Sequence, residues 1–175
     1  AKMVNDMLWL AKSDHGLRKP LQTPLDLARE VHALFDFFEA LAEEKRISLT
    51  LEGQAPTILG DRAMLRQAIS NLLSNAIRYT PSGQTVLVRL VRLSDRRVSL
   101  SVLNPGPEIP SEHLPNIFDR FYRADPSRTR QSEGAGLGLA IVRSIVEVHG
   151  GQAEAASSPT RTTFTLYFPA TQSHA

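Results

Sequence analysis

The sequence predicts an α+β domain, and three observations carry that reading. Two amphipathic helical stretches, Leu27 to about Lys45 and Leu65 to Ala76, alternate with short strand-like runs. A hairpin follows, with strands Thr85 to Leu93 and Arg97 to Leu103 joined by Ser94-Asp95-Arg96. A glycine-rich turn then opens one more helix, and two strands close the chain. This order suits helices on one face of a mixed, mostly antiparallel sheet whose other face is solvated.

Composition narrows the possibilities. A chain of 175 residues is one domain with room for little more. Net charge is +2 with both signs interspersed, which argues against a nucleic-acid partner. The absence of cysteine excludes disulfides and thiolate metal sites. No run approaches the roughly 18 apolar residues of a membrane span, and no signal peptide is visible. Direct membrane contact is therefore not expected of these residues. The chain opens inside a helical pattern, as a piece of a longer protein would.

Met3, Met7 and Leu10, with Val4, Leu8 and Ala11 beside them, form an apolar seam over residues 1–12, the tail of a longer bundle helix or a frayed terminal one. Residues 13–22, with Gly16 and Pro20, read as a linker. Thr23-Pro24 is the expected cap and first position of the next helix, whose Leu27, Val31, Leu34, Phe38 and Leu41 face the core. Ile47 to Leu51 and Thr57 to Leu59 are short strands, and Asp61 caps the following helix. On that helix Leu65, Ala68, Ile69, Leu72, Leu73 and Ala76 form an apolar arc. Asn71, Asn75 and Arg78 line its border, with Tyr79 beyond, and Pro81-Ser82-Gly83 ends it. Asn is a poor mid-helix residue, so the stripe suggests a polar object against it, with an incidentally decorated, solvated helix as the alternative.

In the second hairpin strand Val98, Leu100 and Val102 share a face, and the period of two puts Asn104 on that inward side. The long loop after it carries Arg123, Arg128 and Arg130. Gly134, Gly136 and Gly138 lead into a helix with Leu137, Ile141, Ile145 and Val148 on one face, ended by Gly150-Gly151. Backbone N–H groups at such a turn can hold phosphate, although a bare hinge also fits the glycines alone. The Arg-bearing loop could close over phosphates. Asn71 and Asn75 offer neutral oxygens to a Mg²⁺ that bridges phosphates, and Asn104 offers a donor and an acceptor to a purine edge. Gln152 to Ala156 and Thr162 to Phe168 are the closing strands.

With those residues in place, the chain resembles the sensor histidine kinases. Asn71 to Pro81 is similar to their N box, Asn104-x-Gly106 to their first glycine box, Phe118-Asp119-Arg120-Phe121-Tyr122-Arg123 to their F box, and Gly134 to Leu139 to their second glycine box. The match runs from about Thr23 to Pro169 in the family's order. The Asn-Pro-Gly turn and the Phe-Phe-Glu-Ala-Leu-Ala-Glu-Glu helix look most like the heavy-metal (copper, zinc, cadmium, cobalt) efflux sensor kinases. The resemblance implies the Bergerat (GHKL) two-layer α/β sandwich over residues 23–170, the end of the second dimerisation helix at 1–12, and a tail at 171–175. It implies ATP and Mg²⁺, with Asn75 the main metal ligand and Asn71 assisting. Arg78 would touch phosphate, and Tyr79 would pack beside the nucleotide. Gly106 would admit the purine and Ile109 would line its pocket. Arg123, with Arg128 or Arg130, would reach the terminal phosphates, and Gly134, Gly136, Leu137 and Gly138 would clamp the phosphate chain.

The resemblance further implies a protein-histidine kinase in a two-component phosphorelay, with a homodimeric parent, a cognate response regulator and a cytoplasmic position below a bacterial inner membrane. Phe118 and Phe121 would dock on the dimerisation helices or simply fill the core. The acceptor is expected elsewhere: His15, His32, His113, His149 and His174 are followed by Gly, Ala, Leu, Gly and Ala, not by an acid. The piece alone is thus expected only to bind ATP. Three positions depart from the family. Asn104 replaces an Asp, exchanging a charged hydrogen bond of roughly 1.5–3 kcal/mol for a neutral one of roughly 0.5–1.5, which predicts weaker adenine binding. Glu108 replaces a glycine of the first box. The third glycine box is reduced to Arg161-Thr162-Thr163-Phe164, with Thr163 as the residue facing nucleotide. A hydrolysing ATPase of the same fold and a nucleotide-free docking module are the alternative functions.

Overall fold

The structure, a computed structural model, describes residues 2–16, 19–54, 57–123 and 136–169. Its elements are α1 (Lys2–Asp14), β1 (Thr23–Leu25), α2 (Leu27–Glu44), β2 (Ser48–Gly53), β3 (Ile58–Gly60), α3 (Arg62–Tyr79), β4 (Thr85–Arg92), β5 (Val98–Asn104), α4 (Gly138–Val148), β6 (Gln152–Ser157) and β7 (Thr162–Phe168). A short 3₁₀ turn, Leu114–Asn116, lies between β5 and α4.

The main sheet has five strands in the order β2-β4-β5-β7-β6. β2 pairs parallel with β4, and the other pairs are antiparallel. Alternation decides its faces. Val86, Val88 and Leu90 of β4, Val98, Leu100 and Val102 of β5, and Phe164, Leu166 and Phe168 of β7 are buried. Those of β4 and β5 meet the apolar arc of α3, on which Leu65, Ala68, Ile69, Leu72 and Leu73 are fully buried, and those of β7 lie against α4. Each such large aliphatic side chain contributes roughly 1.5–3 kcal/mol by leaving water. The opposite face, expected to be solvated, is partly covered by its own long side chains. Arg97 lies over the Tyr167 ring at 4.9 Å, and Arg89 pairs with Glu52 at 3.6 Å. Ser99 and Leu103 are buried on that side.

Two expectations are corrected. Thr23 and Pro24 do not start a helix; they form β1, antiparallel to β3 in the register Thr23↔Gly60 and Leu25↔Ile58. A two-stranded edge tolerates a proline without its N–H. The cap of α2 is Asp26, whose carboxylate accepts from the N–H groups of Ala28 at 3.0 Å and Arg29 at 3.4 Å. Further along α2 the inward residue is Ala42, while Leu41 is exposed, because at this end the buried stripe runs through Leu34, Phe38 and Ala42 in four-residue steps.

α1 continues to Asp14, into the stretch read as linker. Its Trp9 and Leu10 are buried, whereas Val4, Met7 and Leu8 are exposed. It packs on α4, where Ser13 and Ser144 share a hydrogen bond of 2.6 Å. Asp14 pairs with Arg120. No helix among the described residues is long and apolar enough to cross a membrane.

Candidate nucleotide-binding site

The site is built along one edge of α3. Asn71 and Asn75 are half-buried there, and Arg78 and Tyr79 are exposed at its C-terminal end. Two contacts bring other motifs to this edge. At one end the Asn71 side-chain amide donates to the carbonyl of Gly138, the first residue of α4, at 3.2 Å. That leaves the Asn71 Oδ1 as an acceptor beside Asn75. At the other end Gly106 lies against the exit of α3, and a Cβ on it would stand 2.7 Å from the Tyr79 carbonyl oxygen. Its φ of 153° is also one that side-chain-bearing residues rarely adopt. From Asn71 to Tyr79 the helix rises about 12 Å, which sets the separation of the two contacts along this edge.

Asn104 ends β5 on the inward side, only 4% exposed. Its Nδ2 donates to the Pro105 carbonyl at 2.8 Å. That bond sets the amide orientation and leaves Oδ1 as the acceptor. A carboxylate in its place would put an oxygen, not a donor, against that carbonyl, which cuts into the gain in affinity expected of an Asp. Half-buried Ile109 is held nearby, with its N–H donating to Ser157 Oγ at 2.9 Å. Ser157 in turn pairs with Thr162 Oγ1 at 2.7 Å.

Leu137 is buried and precedes α4, and its side chain offers no cap to the helix. Among the described residues no side chain accepts from the first-turn N–H groups of α4, an arrangement that favours an anion. Gly136, with φ 75°, accepts at its carbonyl from the Phe121 N–H at 3.0 Å. A Cβ on Gly136 would meet the Phe121 backbone at 2.9 Å. This ties Phe121 to the residue that leads into α4. Asp119 pairs with Arg143 of α4 at 3.3 Å, and Tyr122 hydrogen-bonds His113, so residues 119–122 are held against α4 and the 3₁₀ turn.

Not every expected residue sits at the site. Arg123 is half-buried, one residue beyond Tyr122. Arg128, Arg130 and Gly134 lie outside the described residues. Thr163 is on the far face of the sheet, in register with Leu103 and Ala156. The residue opposite Asn104 is Thr162, buried on the inner face. The same period of two that placed Asn104 inward could have found it, since Phe164, Leu166 and Phe168 fix the parity of that strand. Phe118 takes the core role, edge-on to Phe164 at 6.0 Å and 7% exposed, so it is not free to dock. Phe121 is 55% exposed, with φ 61°.

Residues 60–172 match the family described as histidine kinase-, DNA gyrase B-, and HSP90-like ATPase. The chain belongs to that family. Its α+β sandwich with this mixed sheet is the family's, and so is ATP as the nucleotide bound. The chain is 52% identical over 170 residues to the sensor histidine kinase CusS of Escherichia coli strain K12, covering 97% of this chain and 35% of that protein. It is 45% identical to the probable sensor kinase SilS of Salmonella typhimurium over 96% of this chain and 34% of that one. It thus spans about a third of the length of these curated relatives. Among solved structures, full-length ShkA in complex with AMPPNP superposes with a TM-score of 0.85 at 29% identity, over 96% of this chain and 35% of that chain.

A second concavity, of about 440 Å³, lies at the N-terminal end of α3 and is lined in part by Arg29, Glu30, Arg62 and Arg66. Its carboxylates are already engaged. Glu30 is buried and bound by Arg62 at 3.0 Å and by Arg66, and Asp26 caps α2. Neither of these carboxylates is left free for chemistry.

Proposed function

We propose that this chain is the ATP-binding catalytic domain of a sensor histidine kinase. It would bind Mg²⁺–ATP along the α3 edge and present the terminal phosphate to a histidine on a separate dimerisation domain. The observation that carries the reading is that one helix edge touches both glycine turns, through Asn71 with Gly138 and through Tyr79 with Gly106. Bound Mg²⁺–ATP supplies the transferable phosphoryl group and the charge that neutralises it. The chain's residues hold and orient. Oδ1 of Asn75, helped by Asn71, faces the metal; Arg78 and Arg123 take phosphate oxygens; the α4 N-terminus takes the chain between. The Asn104 Oδ1 accepts the adenine amino proton, with Thr162, not Thr163, beside it. Positioning and fixed charge are then the main catalytic contributions.

In the parent protein, α1 ends the second dimerisation helix, residues 23–170 form the catalytic domain, and two copies pair through helices that precede this chain. The parent is a membrane sensor whose cytoplasmic part phosphorylates a response regulator in answer to heavy metals. Support for that signal is the likeness to CusS and SilS and the Asn-Pro-Gly turn. Competition between ATP and GTP for a fluorescent ATP analogue tests the base reading. ATP should win by more than about tenfold, because Asn104 presents an acceptor; equal competition contradicts the assignment. Radiolabel from ATP should reach an added dimerisation domain and should not stay on this chain alone.

A further inference from the structure

The last four carbonyls of a helix have no partners within it. In α3 those carbonyls can be followed one by one. Ala76 accepts from the Thr80 N–H at 3.0 Å and from Thr80 Oγ1 at 2.6 Å. Ile77 accepts from Lys45 Nζ at 2.7 Å, and Arg78 accepts from the same ammonium at 3.1 Å. The fourth, on Tyr79, is the oxygen that Gly106 approaches. One distant lysine therefore holds the two carbonyls that immediately precede the wall of the purine turn.

The corner that carries Lys45 grips the exit of α3 a second time. Lys45 closes α2, and the next residue, Arg46, sits at φ 57°, a left-handed conformation that is costly for a residue with a side chain. That conformation is accompanied by a bond from the Gly83 N–H to the Arg46 carbonyl at 2.8 Å. The Ser48 N–H reaches the Gln84 carbonyl at 3.1 Å, and the parallel pairing of β2 with β4 begins there, at Ser48↔Thr85. The α2–β2 corner thus fixes both the last turn of α3 and the chain just past it. The ammonium also lies at the negative end of the helix dipole, where a cation is favoured.

We infer that Lys45 is a positioning residue for the nucleotide site. Its ammonium fixes the final turn of α3, and through it the Arg78 side chain and the Tyr79 carbonyl against Gly106. This rests on the nucleotide reading above. It predicts that the site feels Lys45 without contact between Lys45 and nucleotide.

The test compares Lys45→Met, Lys45→Arg and Glu30→Gln in the whole chain. For each, the affinity for a fluorescent ATP analogue is measured well below the unfolding midpoint, alongside the midpoint itself. Lys45→Met should weaken binding by about tenfold, as a small misplacement at a site can. Lys45→Arg, which keeps a donor to both carbonyls, should recover most of that loss. Glu30→Gln, which destabilises the other end of α3, should leave affinity unchanged. If Lys45→Met does not fold, a Lys45→Gln variant takes its place. Unaltered affinity in the folded variant, or an equal loss in Glu30→Gln, overturns the inference. Failure of the wild type to bind the analogue would instead overturn the nucleotide reading.

Discussion

At the N-terminal end of α3, polar groups close on one another. Asp61 accepts from the N–H groups of Met64 at 3.2 Å and Leu21 at 3.1 Å. Glu30 is held by Arg62 and Arg66. His149 is buried, with Nε2 accepting from the Asp61 N–H at 3.0 Å and Nδ1 donating to the Ile145 carbonyl at 2.7 Å. At its C-terminal half the same helix carries half-buried amides and an exposed arginine, and the end of β5 adds a buried Asn104 whose Oδ1 is left as an acceptor. Both ends are rich in polar side chains. What separates them is where the hydrogen-bonding capacity points: inward to the fold at one end, and at the other to the edge proposed above to bind nucleotide. A polar residue in a helix is a better sign of function when the fold leaves it something to bind.

Substitutions at the two ends should therefore separate binding from stability. Gly106→Val should have the largest effect. Its Cβ would collide with the Tyr79 carbonyl, and loss of ATP affinity on the order of a hundredfold is expected by equilibrium titration. Glu30→Ala should do the reverse. It leaves two arginines without their shared carboxylate and should lower stability by about 1.5–3 kcal/mol in chemical denaturation, with affinity within twofold of wild type. A large loss of affinity there would break the comparison.

Asp61 gives the smallest effect and a pH signature. Burial pushes its carboxyl upward, but the backbone N–H groups of Leu21, Met64 and Ala63 together outweigh it, so the net direction is below the ordinary value of 3.8. A depressed pKa contributes stability that is whole above the unfolded value and lost as pH falls through the folded one. The unfolding midpoint of wild type should therefore decline below about pH 4 more steeply than that of Asp61→Asn, which keeps a cap but does not titrate. Parallel curves for the two would show that this cap is not the titrating contact.

Much of this was legible in the sequence where one element carries its own period. The apolar arc of α3, the inward parity of Asn104, the Asp61 cap and the glycine turn all follow from local spacing. What was not legible depends on distant partners. Thr23–Leu25 became a strand because β3 lies beside it. Phe118 turned inward because Phe164 offered a ring. Thr162 rather than Thr163 met Asn104 because of strand register. Lys45 gave no local signal at all, since its acceptors lie 32 and 33 residues away. The likeness to known motifs suggested Thr163 and a docking Phe118, where register puts Thr162 opposite Asn104 and packing puts Phe118 in the core.

The central claim is that the amide edge of α3 holds nucleotide through a metal. Titration of wild type and Asn75→Ala with a fluorescent ATP analogue, with and without Mg²⁺, tests it most directly. Mg²⁺ should tighten binding to wild type by at least about tenfold and leave Asn75→Ala unchanged, with both proteins unfolding at similar temperatures. Equal Mg²⁺ enhancement in the two proteins would contradict the account.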